Sequence, residues 1–397
     1  MATQIIEPAD AAGVAAALHT AAGYGQSVLV CGASTKFTPA ASDVVIRTTK
    51  LAMRIDHVAG DLVATVPAGA SLDAVNDVLR KERQWLPLDP PRSHRATIGG
   101  IIATNDSGPR RLRYGAPRDL IIGIEIALVN GRTAKAGGKV VKNVAGYDLS
   151  KLMCGSFGTL GVVTSATFKL SPVAPFSQTV VATLTDLRAL SELALALANA
   201  PIGPSAIELQ SPPHRLLVRF ETTEAAAATQ ARIASEICRH HGATIGVVSG
   251  QAEIDAWRAH ESRIFSGADT VVKIAVLPTD VADVLSRIQQ LTSAAGVECA
   301  LSGRAALGIV LLRLGGPPAP KSGFGEAGAG AHARIINEIR RETDARRGSA
   351  VILSASDEVG DAAGRFGSLG DTAPIMRAVK ARFDPHNILN AGLAPWN

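Results

Sequence analysis

The chain has 397 residues, 47% of them hydrophobic and 4% aromatic, with a formal net charge of +5. That length accommodates two or three domains with real cores, and the positive charge is spread along the chain with no basic stripe interleaved with aromatics, which argues against nucleic acid as a partner. No stretch approaches the ~20 apolar residues of a spanning helix, and no charged n-region precedes an apolar core at the start, so a cytoplasmic chain without a transmembrane segment is expected.

In chain order, Asp10 is placed to cap a helix through Ala15, Leu18 and Ala22. A strand over 28–30 then enters Cys31-Gly32-Ala33-Ser34-Thr35-Lys36, a loop of small residues ending in hydroxyls and a lysine. It is neither a P-loop nor a G-x-G-x-x-G fingerprint, and reads as a plain turn or as a set of phosphate donors. Further strands are predicted over 44–47, 62–66 and 121–129, with a helix over 72–81, a mixture that indicates an α+β layer arrangement.

Within that half lies Ala96-Thr97-Ile98-Gly99-Gly100-Ile101-Ile102-Ala103-Thr104-Asn105-Asp106-Ser107-Gly108. Adjacent glycines let a backbone approach another molecule closely, and successive N–H groups turned one way suit an anion such as a pyrophosphate; taken alone, the pair also reads as a plain turn. Two more glycine-punctuated stretches follow, Lys142-Asn143-Val144-Ala145-Gly146-Tyr147-Asp148 and Gly155-Ser156-Phe157-Gly158-Thr159-Leu160-Gly161-Val162. The Arg110-Arg111-Arg113 cluster beside the main loop reads equally as a solvated surface or as a positive rim near an anionic group.

From Pro172 and Pro175 the texture changes. Strands are predicted over 179–184, 206–210, 215–221, 244–248, 270–277, 297–301, 306–314 and 350–354, with helices over 187–199, 224–240, 281–294 and 333–347 and another near Trp257. This is β-α-β-β-α-β logic used twice, and it predicts an antiparallel sheet covered by helices. Residues 315–331, rich in Gly, Pro and Ala, read as a flexible insert. Cys31, Cys154, Cys238 and Cys299 lie far apart and form no Cys-x-x-Cys pair, so buried free thiols are expected and no metal is assigned to this chain.

The three glycine-rich stretches, in this order, resemble the FAD domain of the vanillyl-alcohol-oxidase (p-cresol methylhydroxylase, PCMH) type of flavoprotein. Within that class, Ser107-Gly108-Pro109-Arg110-Arg111-Leu112-Arg113-Tyr114-Gly115 and 142–148 look most like the E-type FAD-binding subunit of bacterial glycolate oxidase. The resemblance implies a two-subdomain PCMH-type FAD-binding domain over 1–173, an α+β cap with an antiparallel sheet over 174–375, and a C-terminal segment, 376–397, that returns to the FAD domain. That segment carries Phe383-Asp384-Pro385-His386-Asn387-Ile388-Leu389-Asn390-Ala391-Gly392, in which Ala391 stands where the family usually has proline.

By the same resemblance, Gly32, Ala33, Ser34, Thr35 and Lys36, with Thr97, Ile98, Gly99 and Gly100, supply main-chain and hydroxyl donors to the FAD phosphates. Asp89 and Pro90 line the cofactor, Thr104, Ser107, Gly108 and Tyr114 flank it, Gly161 and Val162 pack near the adenine, and Lys142, Asn143 and Tyr147 approach the flavin ring. Asp89 reads equally as a turn residue and Tyr147 as an amphipathic core residue. The first loop lacks the histidine that carries covalent flavin in relatives, so FAD is expected to be non-covalent, and Phe157 replaces a common Glu.

Related 2-hydroxyacid dehydrogenases hold a metal through closely spaced cap histidines. Here His214, His240, His241, His260 and His332 form no such pattern, His240 and His241 read as surface residues, and no general base is named. The resemblance therefore implies an FAD subunit of a glycolate oxidase complex, oxidising glycolate or D-lactate together with a homologous subunit that carries the hydroxyacid site and an iron–sulfur subunit that takes the electrons. Any membrane contact would be peripheral, through that complex. The alternatives are a self-sufficient FAD-dependent 2-hydroxyacid dehydrogenase and a cofactor-free scaffold of the same fold.

Overall fold

The computed structural model describes residues 3–36, 41–51, 54–139, 147–265, 270–315 and 326–393. The chain divides into two units, Met1–Val173 with Leu369–Asn397, and Ala174–Ser368.

The first unit opens with β1 (Gln4–Ile6), α1 (Ala11–Gly23), β2 (Val28–Cys31) and β3 (Val44–Arg47). The strands make a parallel sheet in the order β1-β3-β2. Asp10 caps α1 by accepting from the Gly13 amide at 2.7 Å, and α1 buries Val14, Ala15, Leu18 and Ala21. Next come β4 (Asp56–Val58), β5 (Val63–Pro67), α2 (Leu72–Leu79), β6 (Gln84–Trp85), and the short helices α3 (Ile98–Thr104), α4 (Arg111–Tyr114) and α5 (Pro117–Leu120). After β7 (Ile121–Ala127), β8 (Thr133–Gly137), α6 (Leu149–Met153) and β9 (Val162–Lys169), a five-stranded antiparallel sheet is complete in the order β4-β5-β9-β7-β8. A two-residue β10 (Ser171–Pro172) pairs with β6. One apolar cluster, including Leu18, Ile46, Val66, Leu79, Ile101, Ile126 and Phe168, joins the two sheets and their helices.

The second unit runs β11 (Phe176–Thr183), α7 (Leu187–Ala198), β12 (Ala206–Ser211), β13 (Arg215–Thr222), α8 (Glu224–His240) and β14 (Thr244–Ser249). Helix α9 (Gly250–Ser262) leads to β15 (Thr270–Ala275), α10 (Val281–Ala295), β16 (Cys299–Arg304), β17 (Ile309–Leu314), α11 (Glu326–Ala345) and β18 (Ser349–Ser354), and α12 (Asp357–Ala363) follows. The β-α-β-β-α-β pattern does occur twice. The antiparallel sheet has the order β14-β11-β13-β12-β16-β17-β15-β18, so the halves mirror each other and meet where their second strands pair, Leu209 opposite Gly303. The apolar periodicity of Leu216, Val218 and Phe220 on one face of β13, all fully buried, explains why these strands were legible.

Two expectations need correction. Residues 326–331, read from composition as part of an insert, begin α11; alanine, abundant there, favours helix. The strand expected over 306–314 starts at Ile309, because Ala305–Leu307 form a 3₁₀ turn closed by Gly308 at φ +69°. Helix α13 (Ala373–Phe383) returns the chain to the first unit.

Candidate functional site

Three of the glycine-bearing stretches meet in the first unit. Residues 32–36, Thr97, Gly99, Gly100, Gly161 and Val162 line one groove, which opens to solvent and has a cavity volume of about 60 Å³. Its wall also takes Val30, Cys31, Thr48, Ala103, Ser156, Phe157, Gly158, Val163 and Asn390.

Each wall is glycine for a steric reason. A Cβ on Gly32 would lie 2.2 Å from the Thr97 hydroxyl oxygen, so the 32–36 loop can touch the start of α3 only without a side chain. Gly158, at φ +68°, faces the Asn390 amide nitrogen at 2.7 Å from its would-be Cβ. Ser34 (φ +52°), Phe157 (φ +55°) and Asn390 (φ +49°) all take the left-handed conformation beside the groove. Such backbone strain gathers where a ligand or a tight junction demands it.

The 32–36 loop and the start of α3 differ in what their amides meet. The Ile98 amide donates to Ala70 O (2.9 Å), the Gly99 amide to Ala68 O (2.8 Å), and the Gly100 amide to the Thr97 hydroxyl (3.4 Å). The residues of α3 therefore shape the groove while their N–H groups face protein acceptors. By contrast, the amides of Gly32, Ala33, Ser34, Thr35 and Lys36 donate to no other described residue. Lys36 points elsewhere: its ammonium pairs with Asp106 at 2.6 Å and also donates to Pro91 O at 3.2 Å, with its side chain 8% exposed.

Other expected site residues fall into a neighbouring cluster. A Cβ on Gly108 would lie 1.7 Å from Asp89 O, so the two chain segments are in contact there. Asp89 accepts from the Arg110 amide at 3.0 Å, the Arg110 guanidinium lies over the Trp85 ring (4.8 Å), and Tyr114 meets Trp85 edge-on (5.7 Å). Arg111 donates to Ser107 (3.4 Å) and Arg113 lies over Tyr114 (5.6 Å). All three arginines of the cluster thus have neighbours within this fold. Thr104 turns its hydroxyl onto Gly100 O (2.8 Å), Ile98 is core, and Pro90 is buried. Tyr147 is 93% exposed, which removes the core reading. Lys142 and Asn143 lie outside the described residues.

Sequence reasoning missed Thr48, Ala103, Phe157, Gly158 and Asn390 as groove residues. Asn390 had a signal, the C-terminal motif, but nothing local in it pointed to the groove. Its Oδ1 accepts from the Val30 amide and its Nδ2 donates to Phe157 O, both at 2.7 Å. Behind it, Lys380 donates to Asp384 (2.6 Å), Thr159 O (2.9 Å) and Leu389 O (3.1 Å). Burial pushes the Lys380 ammonium below the usual lysine range, and Asp384 opposes that shift.

A loop whose amides meet no acceptor among the described residues, beside a glycine-walled groove, suits an anionic dinucleotide bridge. The profile of an FAD binding domain matches residues 2–137, and that of the C-terminal domain of FAD linked oxidases matches 172–323 and 369–393. Glycolate oxidase subunit GlcD of Bacillus subtilis (strain 168) is 30% identical over 380 residues, covering 84% of this chain and 75% of its own.

The chain belongs to the FAD-linked oxidase family.

It is an FAD-dependent oxidoreductase, and FAD is its cofactor. A D-lactate dehydrogenase of Archaeoglobus fulgidus is 28% identical over 430 residues, covering 98% of this chain and 90% of that protein. Glycolate oxidase subunit GlcE of Escherichia coli (strain K12) is 40% identical over 135 residues, but these cover 34% of this chain and 39% of its own. The specific likeness to the E-type protein is therefore not carried along the chain; the matches to GlcD and to the D-lactate dehydrogenase run much further. Among solved structures, an alkyldihydroxyacetonephosphate synthase superposes with a TM-score of 0.73 at 15% identity, covering 97% of this chain and 76% of that one, a likeness of fold. No helix among the described residues is long and apolar enough to cross a membrane.

In the second unit, the family's cap, two histidines are buried in hydrogen bonds. His260 contacts Glu208 (3.0 Å), Gln210 (3.3 Å) and Ser302 (3.1 Å), and Glu208 also accepts from Arg304 (3.2 Å). His332 contacts Thr270 and Gly315 O, both at 3.1 Å. His240 and His241 are exposed at the end of α8.

Proposed function

We propose that this chain is the FAD subunit of a glycolate oxidase-type complex that oxidises a small 2-hydroxyacid, glycolate or D-lactate, to the 2-oxoacid. The similarity to GlcD over 84% of this chain carries this reading, and the D-lactate dehydrogenase match keeps the substrate within the same class. Removal of two electrons and two protons from the hydroxyacid needs an acceptor, and FAD, when bound, supplies it. Gly32, Ala33, Ser34, Thr35 and Lys36 hold the diphosphate through main-chain N–H groups. Thr97, Gly99, Gly100, Gly161 and Val162 shape the cleft around it, and the attachment is non-covalent.

Two buried histidines of the cap support a division of labour. His260 and His332 have both ring nitrogens in hydrogen bonds, so neither is poised to orient a substrate. We infer that a homologous subunit completes the hydroxyacid site and that an iron–sulfur subunit takes the electrons, in the cytoplasm or at the membrane face through that complex. The residues of the Asp89–Tyr114 cluster brace the cofactor domain.

Anaerobic mixing of the purified yellow chain with glycolate, and separately with D-lactate, tests this. The expected result is no bleaching of the flavin band by the chain alone and bleaching once the partner subunits are co-expressed. Full bleaching by the isolated chain favours the second reading, a self-sufficient 2-hydroxyacid dehydrogenase, for which the 98% coverage of this chain by the D-lactate dehydrogenase match speaks.

A further inference from the structure

The groove is held by a residue 360 positions away from the strand that it serves. Asn390 is 3% exposed and lies across the groove wall, with its carboxamide between the Val30 amide and Phe157 O. Val30 immediately precedes Cys31 and the 32–36 loop; Phe157 is the left-handed residue of the opposite wall. The main chain reinforces this bridge. The Val28 amide donates to Ile388 O and the Asn390 amide to Val28 O, both at 2.8 Å, which gives a parallel rung along the side of β2 not paired with β3. Asp384 fixes the same stretch by accepting from the Ile388 (3.2 Å) and Leu389 (2.8 Å) amides.

We propose that Asn390 is a positioning residue for FAD: it sets the spacing between the 32–36 loop and the Phe157 wall, so cofactor binding and docking of 388–390 are reciprocal. The inference rests on the groove being the FAD site. Without the carboxamide, the Val30 amide loses its 2.7 Å acceptor and the Phe157 carbonyl its 2.7 Å donor, and the two walls are no longer tied to one rigid planar group. By linkage, anything that loosens the clasp weakens FAD, and FAD tightens the clasp by the same factor.

The test uses Asn390→Gly, because glycine accepts φ +49° and removes only the side chain. FAD affinity, measured by flavin fluorescence quenching on the folded apoprotein, falls about 10- to 100-fold, the range expected for two lost buried hydrogen bonds. Asn390→Asp keeps an acceptor for Val30 but presents an oxygen to the Phe157 carbonyl, and it does not restore affinity. In the unaltered protein, hydrogen exchange at the Val30, Leu389 and Asn390 amides slows on adding FAD; this arm does not depend on a variant folding. Wild-type affinity in Asn390→Gly, or exchange at these amides unchanged by FAD, overturns the proposal. Gly100→Asp separates the two layers: if it also keeps FAD, the groove assignment itself fails, whereas loss of FAD there with retention in Asn390→Gly refutes only the role of Asn390.

Discussion

Gly100→Asp is the most discriminating change at the groove. A Cβ at position 100 would lie 3.3 Å from the Thr97 hydroxyl oxygen and 3.7 Å from Lys36 Cγ, so a small side chain fits after a slight shift and the fold stands. Gly99 is a poorer probe, because its Cβ would press on Ala68 from 3.1 Å. The new carboxylate enters a groove lined by Lys36, whose ammonium is already paired with Asp106 at 2.6 Å. At about 5 Å from a phosphate charge and an effective dielectric of about 20, the repulsion is about 3 kcal/mol, or roughly 100-fold in FAD affinity. Gly100→Asn has nearly the same shape without the charge and isolates the steric part. The assay is FAD titration by fluorescence quenching at low and high salt. The Asp variant binds far more weakly than the Asn variant, and raising the salt narrows the gap because screening acts on charge alone. The unaltered protein, whose donors are neutral amides, changes little with salt. Equal affinity of the Asp and Asn variants at low salt would refute the placement of the diphosphate.

Gly32→Ala drives a methyl into the Thr97 hydroxyl at 2.2 Å and should lower stability by about 1–3 kcal/mol as well as FAD uptake, with part of both recovered by adding Thr97→Ala; strict additivity in chemical denaturation would contradict the clash. Glu208→Ala leaves Arg304 and His260 without their shared carboxylate and should cost about 3–5 kcal/mol, seen as an earlier thermal transition, while FAD affinity, set in the other unit, stays unchanged. Burial pushes the thiols of Cys154 and Cys238 up to about 11, from an ordinary 9.0. Between those values the unfolded chain holds fewer protons at these sites than the folded one, so stability that is complete below pH 9 falls as the pH rises towards 11, by roughly 2 kcal/mol per thiol. Urea unfolding at pH 8.5 and pH 10.5 should show a smaller loss for Cys238→Ala than for the parent; identical losses would rule out the thiol as the cause.

What the sequence disclosed and what it hid divide along physical lines. The apolar run in 215–221 and helical spacing in 224–240 are local, and the elements appear within a residue of the expected bounds. The glycine loops were also legible, because positive φ and close approach leave a compositional trace. Hydrogen-bond destinations leave none: nothing in Thr97-Ile98-Gly99-Gly100 reveals that the Ile98 and Gly99 amides meet Ala70 and Ala68 carbonyls at the end of β5. Glu208, between Ile207 and Leu209, has the pattern of a solvent-facing strand residue, yet it is buried under α9 beside His260 and Arg304. Sequence spacing gives no warning of a carboxylate that finds its partners 52 and 96 positions on.

The network around Glu253 and the 32–36 loop treat their polar groups in opposite ways, and that contrast bears on function. In the cap, buried side chains satisfy one another: Glu253 accepts from Ser177 (2.8 Å), Thr179 (2.7 Å) and Arg219 (3.1 Å), and Trp257 donates to Thr179 (2.9 Å). A network closed in this way rigidifies a sheet face and leaves its members little capacity for a ligand. In the first unit, lysine and carboxylate close on each other at Lys36–Asp106 and Lys380–Asp384, while the adjoining 32–36 backbone keeps its donors. Because the charged side chains are locked, the proposed placement has the diphosphate meeting fixed neutral dipoles, which need no rearrangement on binding. Such a site holds a cofactor through geometry, so its affinity answers to whatever fixes the loop, and in this chain that is the carboxamide of Asn390.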